Sequence, residues 1–487
     1  MRYPGFIGTS NAAPTLIANC ERSVNLYAAS VDSPFAPTGV ALLSTPGQSV
    51  FATSTDIGGR GALSVAGRAF VVIGTSFYEV LSTGSVTLRG AVAVDANPAT
   101  ISYNGTSGGQ LFITSGGNGY CYDMAAHTFT TELTGTATQG GMLNGRFLAF
   151  SVVDGLVRFS SLNDGTAWDP TDFFGRSQAA DPWMAMVVRG GEIWLIGEST
   201  GEVWYDSGAF PLPFALISGS TFEFGTPSTF SAAKAGDFIT WLSQDKDGGG
   251  TIVAAKGFGP SQISTYSVAN ALSGYRRDST IDDCEVLVYQ QDQHTFACFS
   301  FPTAGATWAA DLSMNMSWHE RGVWDSAAGR FRIWGPRAHC YAFGKNLVVS
   351  HGSAVVSELD PTIATELNGT GIRRLRVPPP IWAAPGGRLT VDRLQVIVEP
   401  GLADVTGAGS DPHLMMRHSY DTKTWGAERM ASVGKIGEFA KRCVFTRCGS
   451  SEFLWVPEVS FSAPVPLRIS DADIIATGMQ SSGREAA

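Results

Sequence analysis

A weak pattern repeats about seven times in the chain: an apolar stretch, a glycine-rich or charged turn, and a second apolar stretch. Each copy predicts a β-hairpin, because Asp-Gly and Asn-Gly pairs in the turns supply the positive φ angles of tight hairpins. The copies begin about every 35 to 55 residues, an interval that suits a propeller blade of four short strands. The segments are 69–81, 111–123, 147–162, 192–207, 237–255, 285–301 and 340–359.

The segment 192–198 shows how these strands would pack. Ile193 and Leu195 alternate with Trp194 and Ile196, so both faces of the strand are apolar. A strand with two apolar faces is expected where sheets are covered on both sides. Stacked propeller blades provide that environment, and the pattern predicts an all-β, propeller-like domain of six or seven blades.

The composition of the chain divides it into five predicted regions. The stretch 373–388 combines four Arg with four Pro, and a run of prolines cannot join a sheet as a central strand. We therefore expect a break there, followed by a second β-rich unit. The regions are an extended segment leading into the propeller (1–60), the propeller-like domain (61–360), a Pro/Arg-rich linker (361–386), a β-sandwich-like domain (387–477) and a polar tail (478–487).

The second unit contains six predicted strands, enough for a small sandwich. They are 389–400, 412–421, 427–434, 441–449, 452–460 and 464–476. Strict alternation in the first strand puts Val391 on the face opposite to Leu394, Val396 and Val398. In the propeller region, only 266–276 and 306–314 are candidates for a turn or two of helix.

Charge and cysteine content limit the classes of function. Charged residues make up 16% of the chain, below the usual quarter, which fits either a surface partly covered by neighbouring subunits or the low charge of secreted β proteins. The net charge of −10 argues against a protein that grips phosphates, although DNA would slide through a channel of this charge. Seven cysteines without a C-x-x-C pair predict buried thiols in a reducing compartment.

Two further expectations concern location. The first fourteen residues lack the apolar core of a signal peptide, and no stretch approaches the length of a membrane span. We therefore expect a protein without membrane insertion that is not exported through an N-terminal signal.

The sequence lacks the local motifs of catalysis. It contains no phosphate-binding P-loop, no H-E-x-x-H zinc motif and no G-x-S-x-G nucleophile elbow. The stretch that begins at Asp245 resembles the start of a calcium loop, but Lys256 stands where a bidentate Glu is needed, so a solvated hairpin tip is the better interpretation. We predict no catalytic residue, no metal site and no cofactor, and therefore no enzyme.

One motif has a structural interpretation. Residues 419–426 approximate an Asp box, in which Ser419, Asp421, Thr424 and Trp425 brace a hairpin turn. The spacing is one residue short and the usual central Gly is missing. Such turns occur in sialidase-like propellers away from the catalytic residues, so the motif predicts a brace and not a reaction.

Several phrases together resemble one family. They include 19-NCERSVNLYAA-29, 42-LLSTPG-47, the hairpin 60–80, the run 144–182, its partner 183–208 and the C-terminal stretch 417–442. Arg22, Asn25 and Tyr27 match the family's R-x-x-N-x-Y opening. The chain departs from the family at Ala179-Ala180, where an acidic residue is usual, and in the shortened Asp box. The sequence resembles the packaged-DNA stabilisation proteins of short-tailed phages, also called tail hub or nozzle proteins.

The resemblance implies a structural protein of the virion tail, present as six copies in a ring and assembled in the host cytoplasm. Its implied partners are the tail adaptor, a tailspike or tail fibre, a tail needle or plug, and genomic DNA that passes through the channel without sequence-specific binding. We expect Arg373, Arg374 and Arg376 either to contact a neighbouring subunit or partner or to lie in a solvated linker. The pairs Asp282-Asp283 and Asp471, Asp473 are candidates for the channel surface.

Two other classes of function remain open at this point. A propeller glycosidase acting on the host surface would need paired carboxylates, or a Tyr nucleophile with an Arg cluster, in one pocket. A glycan-binding receptor module would need aromatic side chains on the blade loops, and it does not exclude the structural role.

Overall fold

The computed structural model describes residues 1–31, 39–176, 180–244 and 249–480. Within these ranges the regular structure is β-strand apart from one α-helix, α1 (Tyr266–Asp278), and a short 3-10 turn at Gly407–Gly409. The predicted all-β class is thus confirmed. Neither helical element in the described ranges has the length and apolarity needed to cross a membrane. The predicted hairpin tip at 245–248, Ala179 and residues 481–487 of the predicted tail lie outside these ranges.

Seven antiparallel blades of four strands form a propeller in the described part of the chain; six are separate four-stranded sheets, and the strands of blade six belong to a larger sheet. The first strand of each blade contacts the first strands of the two neighbouring blades, so these strands surround the axis. From blade one to blade seven, the strands are Gly59–Val65, Arg68–Ile73, Ser76–Val80 and Val86–Ala91; Thr100–Tyr103, Gln110–Ser115, Asn118–Asp123 and Phe129–Leu133; Gln139–Leu143, Arg146–Ser151, Leu156–Phe159 and Phe173–Gly175; Trp183–Arg189, Glu192–Gly197, Gly201–Asp206 and Phe214–Leu216; Ala233–Ala235, Phe238–Gln244, Gly250–Lys256 and Gly259–Gln262; Glu285–Gln291, His294–Phe301, Ala306–Asp311 and Ser317–Arg321; Pro336–Ala342, Lys345–Ser350, Val355–Asp360 and Gly47–Thr53.

The predicted packing of the strand at 192–198 is confirmed. Ile193 and Leu195 are fully buried in the cluster between blades three and four, and Trp194 and Ile196 are fully buried in the cluster between blades four and five. Burial of both faces explains why these blade strands carry few polar side chains. The predicted hairpins of blades one to five are the middle two strands of each blade, whereas 285–301 forms the first two strands of blade six.

The second domain is a sandwich of two sheets. One sheet contains Cys20–Val24, Arg374–Val377, Leu454–Phe461, His413–Ser419 and Arg429–Ser432, with Asn11–Ala12 and Ile381–Trp382 paired beside it. The other contains Leu26–Ser30, Val40–Ser44, Arg468–Thr477, Leu389–Val398 and Cys443–Thr446, with Ser450–Ser451 at its side. Apolar side chains from both sheets, among them Leu394, Leu414, Trp455 and Ile474, form the core. A separate hairpin, Val323–Asp325 with Arg330–Arg332, follows blade six.

The predicted role of residues 1–60 needs a correction. Instead of leading only into the propeller, this segment supplies three sandwich strands, Cys20–Val24, Leu26–Ser30 and Val40–Ser44. Gly47–Thr53 then forms the outermost strand of blade seven, where Ala52 lies opposite Val356. An N-terminal strand therefore completes the last blade and closes the propeller. The third strand of blade seven is thus paired and does not remain an open sheet edge.

The linker predicted at 361–386 is also wrong for its central part. Arg374–Val377 is a buried strand between Cys20–Val24 and Leu454–Phe461. Pro378, Pro379 and Pro380 lie outside this strand, as expected for residues that cannot donate to a ladder.

Of the two predicted short helices, one is absent and the other is present but longer than predicted. The stretch 306–314 is not helical, because Ala306–Asp311 pairs with blade strands on both sides. The stretch 266–276 is the start of α1, which spans thirteen residues between blades five and six. Thr265 caps α1, since its side chain accepts a hydrogen bond from the Val268 N–H.

Candidate functional site

The two domains meet without a flexible connection. The outer strand of blade six, Ser317–Arg321, pairs in parallel with Cys20–Val24, where Val24 lies opposite Glu320. Because Cys20–Val24 also pairs with Arg374–Val377, the sheet of blade six continues directly into the sandwich. We call the contacts around Arg22, Asn25, Glu320, Gly322 and Arg376 the interdomain joint.

Asn25 is the central residue of the interdomain joint. Its φ of +55° is a left-handed conformation that asparagine tolerates better than most residues. The side-chain amide donates hydrogen bonds to the carbonyls of Gly322 (2.7 Å) and Arg373 (2.8 Å), and its oxygen accepts from the Gly322 N–H (3.1 Å). One buried side chain therefore connects the N-terminal segment, the exit of blade six and the sandwich.

Arg22 and Glu320 form a bidentate ion pair across the interdomain joint. Arg22 Nε donates to Glu320 Oε1 (3.0 Å) and Nη2 donates to Oε2 (2.6 Å). The Glu320 carboxylate raises the pKa of Arg22 above its ordinary value. Tyr27, the third residue of the family phrase, packs edge-on against Phe296 of blade six. The phrase Arg22-x-x-Asn25-x-Tyr27 thus lies at the joint, a role that the sequence alone did not reveal.

Arg376 is buried completely and does not reach the surface, so its predicted place in a partner contact or a solvated linker is wrong. Its guanidinium donates to the carbonyls of Phe6 (2.7 Å), Gly5 (2.9 Å) and Thr9 (3.0 Å), and to Glu21 Oε1 (2.8 Å). Burial lowers the pKa of Arg376, while the Glu21 carboxylate acts in the opposite direction. The side chain holds the N-terminal residues against the sandwich.

The neighbouring arginines differ in exposure. Arg374 is also fully buried, which excludes the predicted surface roles, and it donates to the Ala463 carbonyl at 3.2 Å. Burial lowers the pKa of Arg374 to about 10. Arg373 lies closer to the surface: its guanidinium stacks 4.4 Å above the Trp324 ring and donates to Glu428 Oε1 at 3.0 Å. Of the three, only Arg373 has a position from which a partner could be contacted.

The Asp-box-like turn is held by the Asp421 carboxylate. Its Oδ1 accepts hydrogen bonds from the Lys423 N–H (2.8 Å), the Thr424 N–H (2.7 Å) and Ser419 Oγ (2.9 Å), and its Oδ2 accepts from Thr424 Oγ1 (2.6 Å). These bonds lower the pKa of Asp421 below its ordinary value. Trp425 packs against an apolar cluster of the sandwich, and the Arg417 guanidinium lies 5.1 Å from the centre of its ring. The side chains of Ser419, Asp421 and Thr424 are thus bonded to one another within the turn.

Buried charged side chains occupy one end of the propeller axis. Arg337, in the inner strand of blade seven, donates from Nε to Glu285 in blade six (2.7 Å) and from Nη2 to the Ala96 carbonyl, before blade two (2.7 Å). Arg60, in the inner strand of blade one, is buried and lies 3.4 Å from Asp95. The Arg337–Glu285 pair joins the inner strands of the neighbouring blades six and seven, and the bond from Arg337 to Ala96 reaches the loop before blade two.

Gln139 completes this end of the axis. Its amide nitrogen donates to the Thr229 carbonyl (2.7 Å), and its oxygen accepts from the Met186 N–H (2.7 Å). Gln139 is buried, as are Arg60 and Glu285. Side chains and loops from several blades are therefore packed together at this end of the axis.

Three of the four carboxylates predicted for a channel surface, those of Asp282, Asp283 and Asp471, have local partners. Asp471 is buried, with Arg2 Nε at 3.3 Å from its Oδ2, which corrects its assignment to an open surface. Asp283 Oδ2 accepts a hydrogen bond from the Thr303 N–H at 2.6 Å, and Asp282 lies 3.4 Å from Arg276. Asp473 forms an isolated bridge with Arg2 through the backbone.

A groove of about 1000 Å³ opens between blade four, blade five and α1. Its lining mixes carboxylate, amide, aromatic and guanidinium side chains: Glu198, Glu223, Gln262, Tyr266, Asn270 and Arg276. Tyr266 is 73% exposed, so one aromatic ring is presented at this surface. Such a lining suits a hydroxyl-rich ligand, because amide and carboxylate groups bond hydroxyls while an aromatic face packs on a sugar ring.

The cysteines take no part in a reactive site. All seven lie in the described ranges, where each is a buried free thiol. Burial raises the pKa of every one of them; for Cys443 the pKa is about 12. No group of three or more His, Cys, Asp or Glu side chains within the described residues is arranged to hold a metal ion.

A seven-bladed propeller joined to a sandwich by a continuous sheet defines a two-domain β protein with a rigid connection. The family model described as Bacteriophage P22 Gp10, beta-propeller, matches residues 22–364, and the model described as Bacteriophage P22 Gp10, beta-sandwich, matches residues 379–476. The chain belongs to this family, which confirms the resemblance to tail nozzle proteins. It is a structural protein of a bacteriophage tail.

Other comparisons add little. A search of curated proteins found no match. Among solved structures, the N-terminal domain of Nup159 is 7% identical, with 70% of this chain and 98% of that chain covered and a TM-score of 0.41. PorZ of Porphyromonas gingivalis is 11% identical (79% and 46% covered, TM-score 0.38), and the exo-beta-1,3-galactanase of Phanerochaete chrysosporium is 8% identical (89% and 100% covered, TM-score 0.30). At these TM-scores, none of the likenesses bears on function.

Proposed function

We propose that six copies of this protein form a ring below the tail adaptor. The ring extends the DNA channel and retains the packaged genome. Its outer surface docks tailspikes or tail fibres, and its far end docks a needle. The proposal comes from membership of the phage tail family and from the resemblance to the nozzle proteins. Assembly takes place in the host cytoplasm.

The filled propeller axis is the observation that carries this proposal. Because the buried side chains of Arg337, Glu285 and Gln139 are bonded to neighbouring strands and loops at the axis, we infer that one propeller offers DNA no passage. A tail protein that guides DNA must then enclose it between subunits, which requires a ring. Six copies with a net charge of −10 each would present a surface that repels phosphates and lets DNA slide.

The interdomain joint supports a mechanical role. A ring under the pressure of packaged DNA gains from subunits that do not bend between their domains. The shared sheet and the Arg22–Glu320 pair make each subunit a single rigid body.

The test is the assembly state of the purified full-length chain, alone and mixed with its adaptor. We expect particles of six times the 51.5-kDa chain in native mass spectrometry, and six-fold rings with a central opening in electron micrographs. A chain that stays monomeric at every concentration, with and without the adaptor, would contradict the ring. In virions, removal of the protein is expected to make the genome sensitive to nuclease.

The groove beside α1 favours a second candidate function, a glycan-binding receptor module. Its carboxylate and amide groups and the exposed Tyr266 ring are suited to sugar hydroxyls and a sugar face. Binding of the chain to host polysaccharide, lost on Tyr266→Ala but kept on Tyr341→Ala at another exposed tyrosine, would support this candidate. Release of reducing sugar would point instead to the glycosidase alternative, and the absence of binding would leave the structural role alone.

A further inference from the structure

A loop of the sandwich exposes large apolar side chains. Residues 435–442, between the strands Arg429–Ser432 and Cys443–Thr446, are all exposed, and we call them the docking loop. Phe439 is 74% exposed and Ile436 is 56% exposed, while Met430, on the preceding strand, is 67% exposed. Soluble proteins seldom collect large apolar side chains at one surface unless another molecule covers them.

The docking loop has a defined shape. Glu438 Oε2 accepts a hydrogen bond from the Lys435 N–H (2.9 Å), and the Glu438 N–H donates to the Lys435 carbonyl (2.9 Å). Gly434 and Gly437 adopt φ angles of +107° and +85°, which side chains with a Cβ rarely adopt. The Phe439 ring lies against Gly401, where an added Cβ would come within 2.7 Å of the ring.

The ends of the docking loop are anchored in the sandwich. Val433 and Cys443, which flank it, are 5% and 2% exposed and belong to the core. A preformed loop loses little conformational freedom when it binds, so more of the contact energy appears as affinity. An exposed aromatic ring on such a loop has the character of an interface anchor.

The charge of the docking loop is opposite to that of the chain. It carries Lys435, Lys441 and Arg442 against Glu438, whereas the whole chain has a net charge of −10. Lys435 Nζ lies 3.6 Å from Asp411. In the described structure, no hydrogen bond or ion pair engages the side chains of Lys441 and Arg442. Two cations therefore flank the apolar tip and are available to an acidic surface.

We propose that the docking loop binds a second copy of this chain, with Phe439 and Ile436 in an apolar depression and Lys441 and Arg442 beside carboxylates of that copy. The inference rests on the proposed ring. In a ring, each subunit contacts its two neighbours through two different surfaces. The basic docking loop on one surface can therefore meet acidic groups on the other surface of the next subunit. The excess of ten acidic groups per chain supplies the complementary charge.

The experiment compares ring assembly of the wild type with that of Phe439→Ser and of the double variant Lys441→Glu, Arg442→Glu. The control is Phe210→Ser, because Phe210 is 98% exposed but lies in blade four. We expect the docking-loop variants to raise the concentration at which half of the chains are in rings by about tenfold or more, the scale of a lost interface anchor. We expect the control to match the wild type, and urea unfolding to be similar for all four proteins.

A photo-reactive phenylalanine analogue at position 439 provides a second measurement. It is expected to give covalent dimers of the chain, with cross-links next to acidic residues of the second copy. Wild-type chains that never form rings would overturn the proposed ring and this inference together. Docking-loop variants that assemble like the wild type would overturn this inference alone. Variants that form rings but fail to bind the adaptor would also overturn it, because the loop would then face the adaptor.

Discussion

Buried arginines hold the N-terminal residues and the sandwich together. Arg374 and Arg376 alternate with Leu375 and Val377 on one strand, and all four side chains are buried. Charged residues are seldom buried unless partners satisfy them, and the partners of Arg376 include three backbone carbonyls of residues 5–9 and the Glu21 carboxylate. Nothing in the local sequence shows that these carbonyls would be present, because they come from residues 5–9.

Replacement of Arg376 tests this arrangement. Arg376→Met removes the donors and leaves three carbonyls and the Glu21 carboxylate without their partner. Loss of one member of a buried charged network costs about 3–5 kcal/mol, so we expect the free energy of unfolding of the sandwich to fall by that amount. Urea unfolding followed by tryptophan fluorescence measures it. Arg277→Met, at a 76% exposed side chain on α1, is expected to change stability by no more than about 0.5 kcal/mol. A loss below about 1 kcal/mol in Arg376→Met would show that the network is not needed.

Glu366 makes stability depend on pH. Burial raises the pKa of Glu366 from 4.5 to about 7, against the effect of Arg374. The folded state therefore binds the proton more tightly than the unfolded state, and this contribution is complete below pH 4.5 and is lost as pH rises through 7. We expect wild-type stability to fall between these values, by on the order of 2 kcal/mol relative to Glu366→Gln. Unfolding curves at a series of pH values measure the difference. Glu399→Gln, at an exposed carboxylate, is the control, and parallel curves for wild type and Glu366→Gln would contradict the expectation.

At the scale of elements, a β-bulge decides the inward face of Leu389–Val398. The register of this strand against Arg468–Thr477 shifts between Val391 and Arg393. Val391 therefore lies in the core together with Leu394, Val396 and Val398, although strict alternation predicted the opposite face. The prediction was wrong because a bulge adds one residue without changing the apolar pattern on either side.

Single-residue deletions test the bulge. Deletion of Asp392 removes the extra residue and leaves Val391 and Leu394 on the same face, so we expect a folded sandwich that is destabilised by about 1–2 kcal/mol. Deletion of Gln395 shifts the alternation and turns apolar side chains towards solvent, so we expect the sandwich to unfold. Circular dichroism and urea titration of both variants measure the outcome. Equal damage from the two deletions would show that the bulge is not the reason for the observed faces.

At the scale of the whole molecule, the interdomain joint makes two domains behave as one. Asn25 alone provides hydrogen bonds to Gly322 and Arg373, which belong to different domains. The parallel pairing of Val24 with Glu320 extends the sheet across the boundary. We therefore expect the wild type to unfold in a single thermal transition.

Replacement of Asn25 should separate the domains. Asn25→Ala removes the side-chain hydrogen bonds and places alanine, which tolerates a left-handed φ less well than asparagine, at this position. We therefore expect two thermal transitions where the wild type has one. Differential scanning calorimetry measures them. Asn144→Ala is the matched control, because Asn144 has a similar φ of +48° but lies at an exposed hairpin turn of blade three. A single transition in Asn25→Ala would mean that the sheet alone couples the domains.

Much of the fold was predictable from local patterns. The apolar alternation in 192–198 and the recurring hairpins gave the blades, and six apolar stretches after residue 387 lie close to the observed sandwich strands. The candidate site was less predictable. Ser419, Asp421 and Thr424 are close in sequence and meet in one turn, whereas Arg22, Asn25 and Glu320 meet across about 300 residues.

The amino-acid sequence by itself determined the recurring hairpins, where they turn and that blades repeat, because these properties depend on side-chain alternation and on residues next to one another. Only the tertiary structure decided that Gly47–Thr53 closes blade seven, that Cys20–Val24 joins the two domains and that two arginines lie in the interior. The physical reason is that a strand edge offers the same N–H and C=O groups to any partner. The partner is selected by the packing of the entire chain.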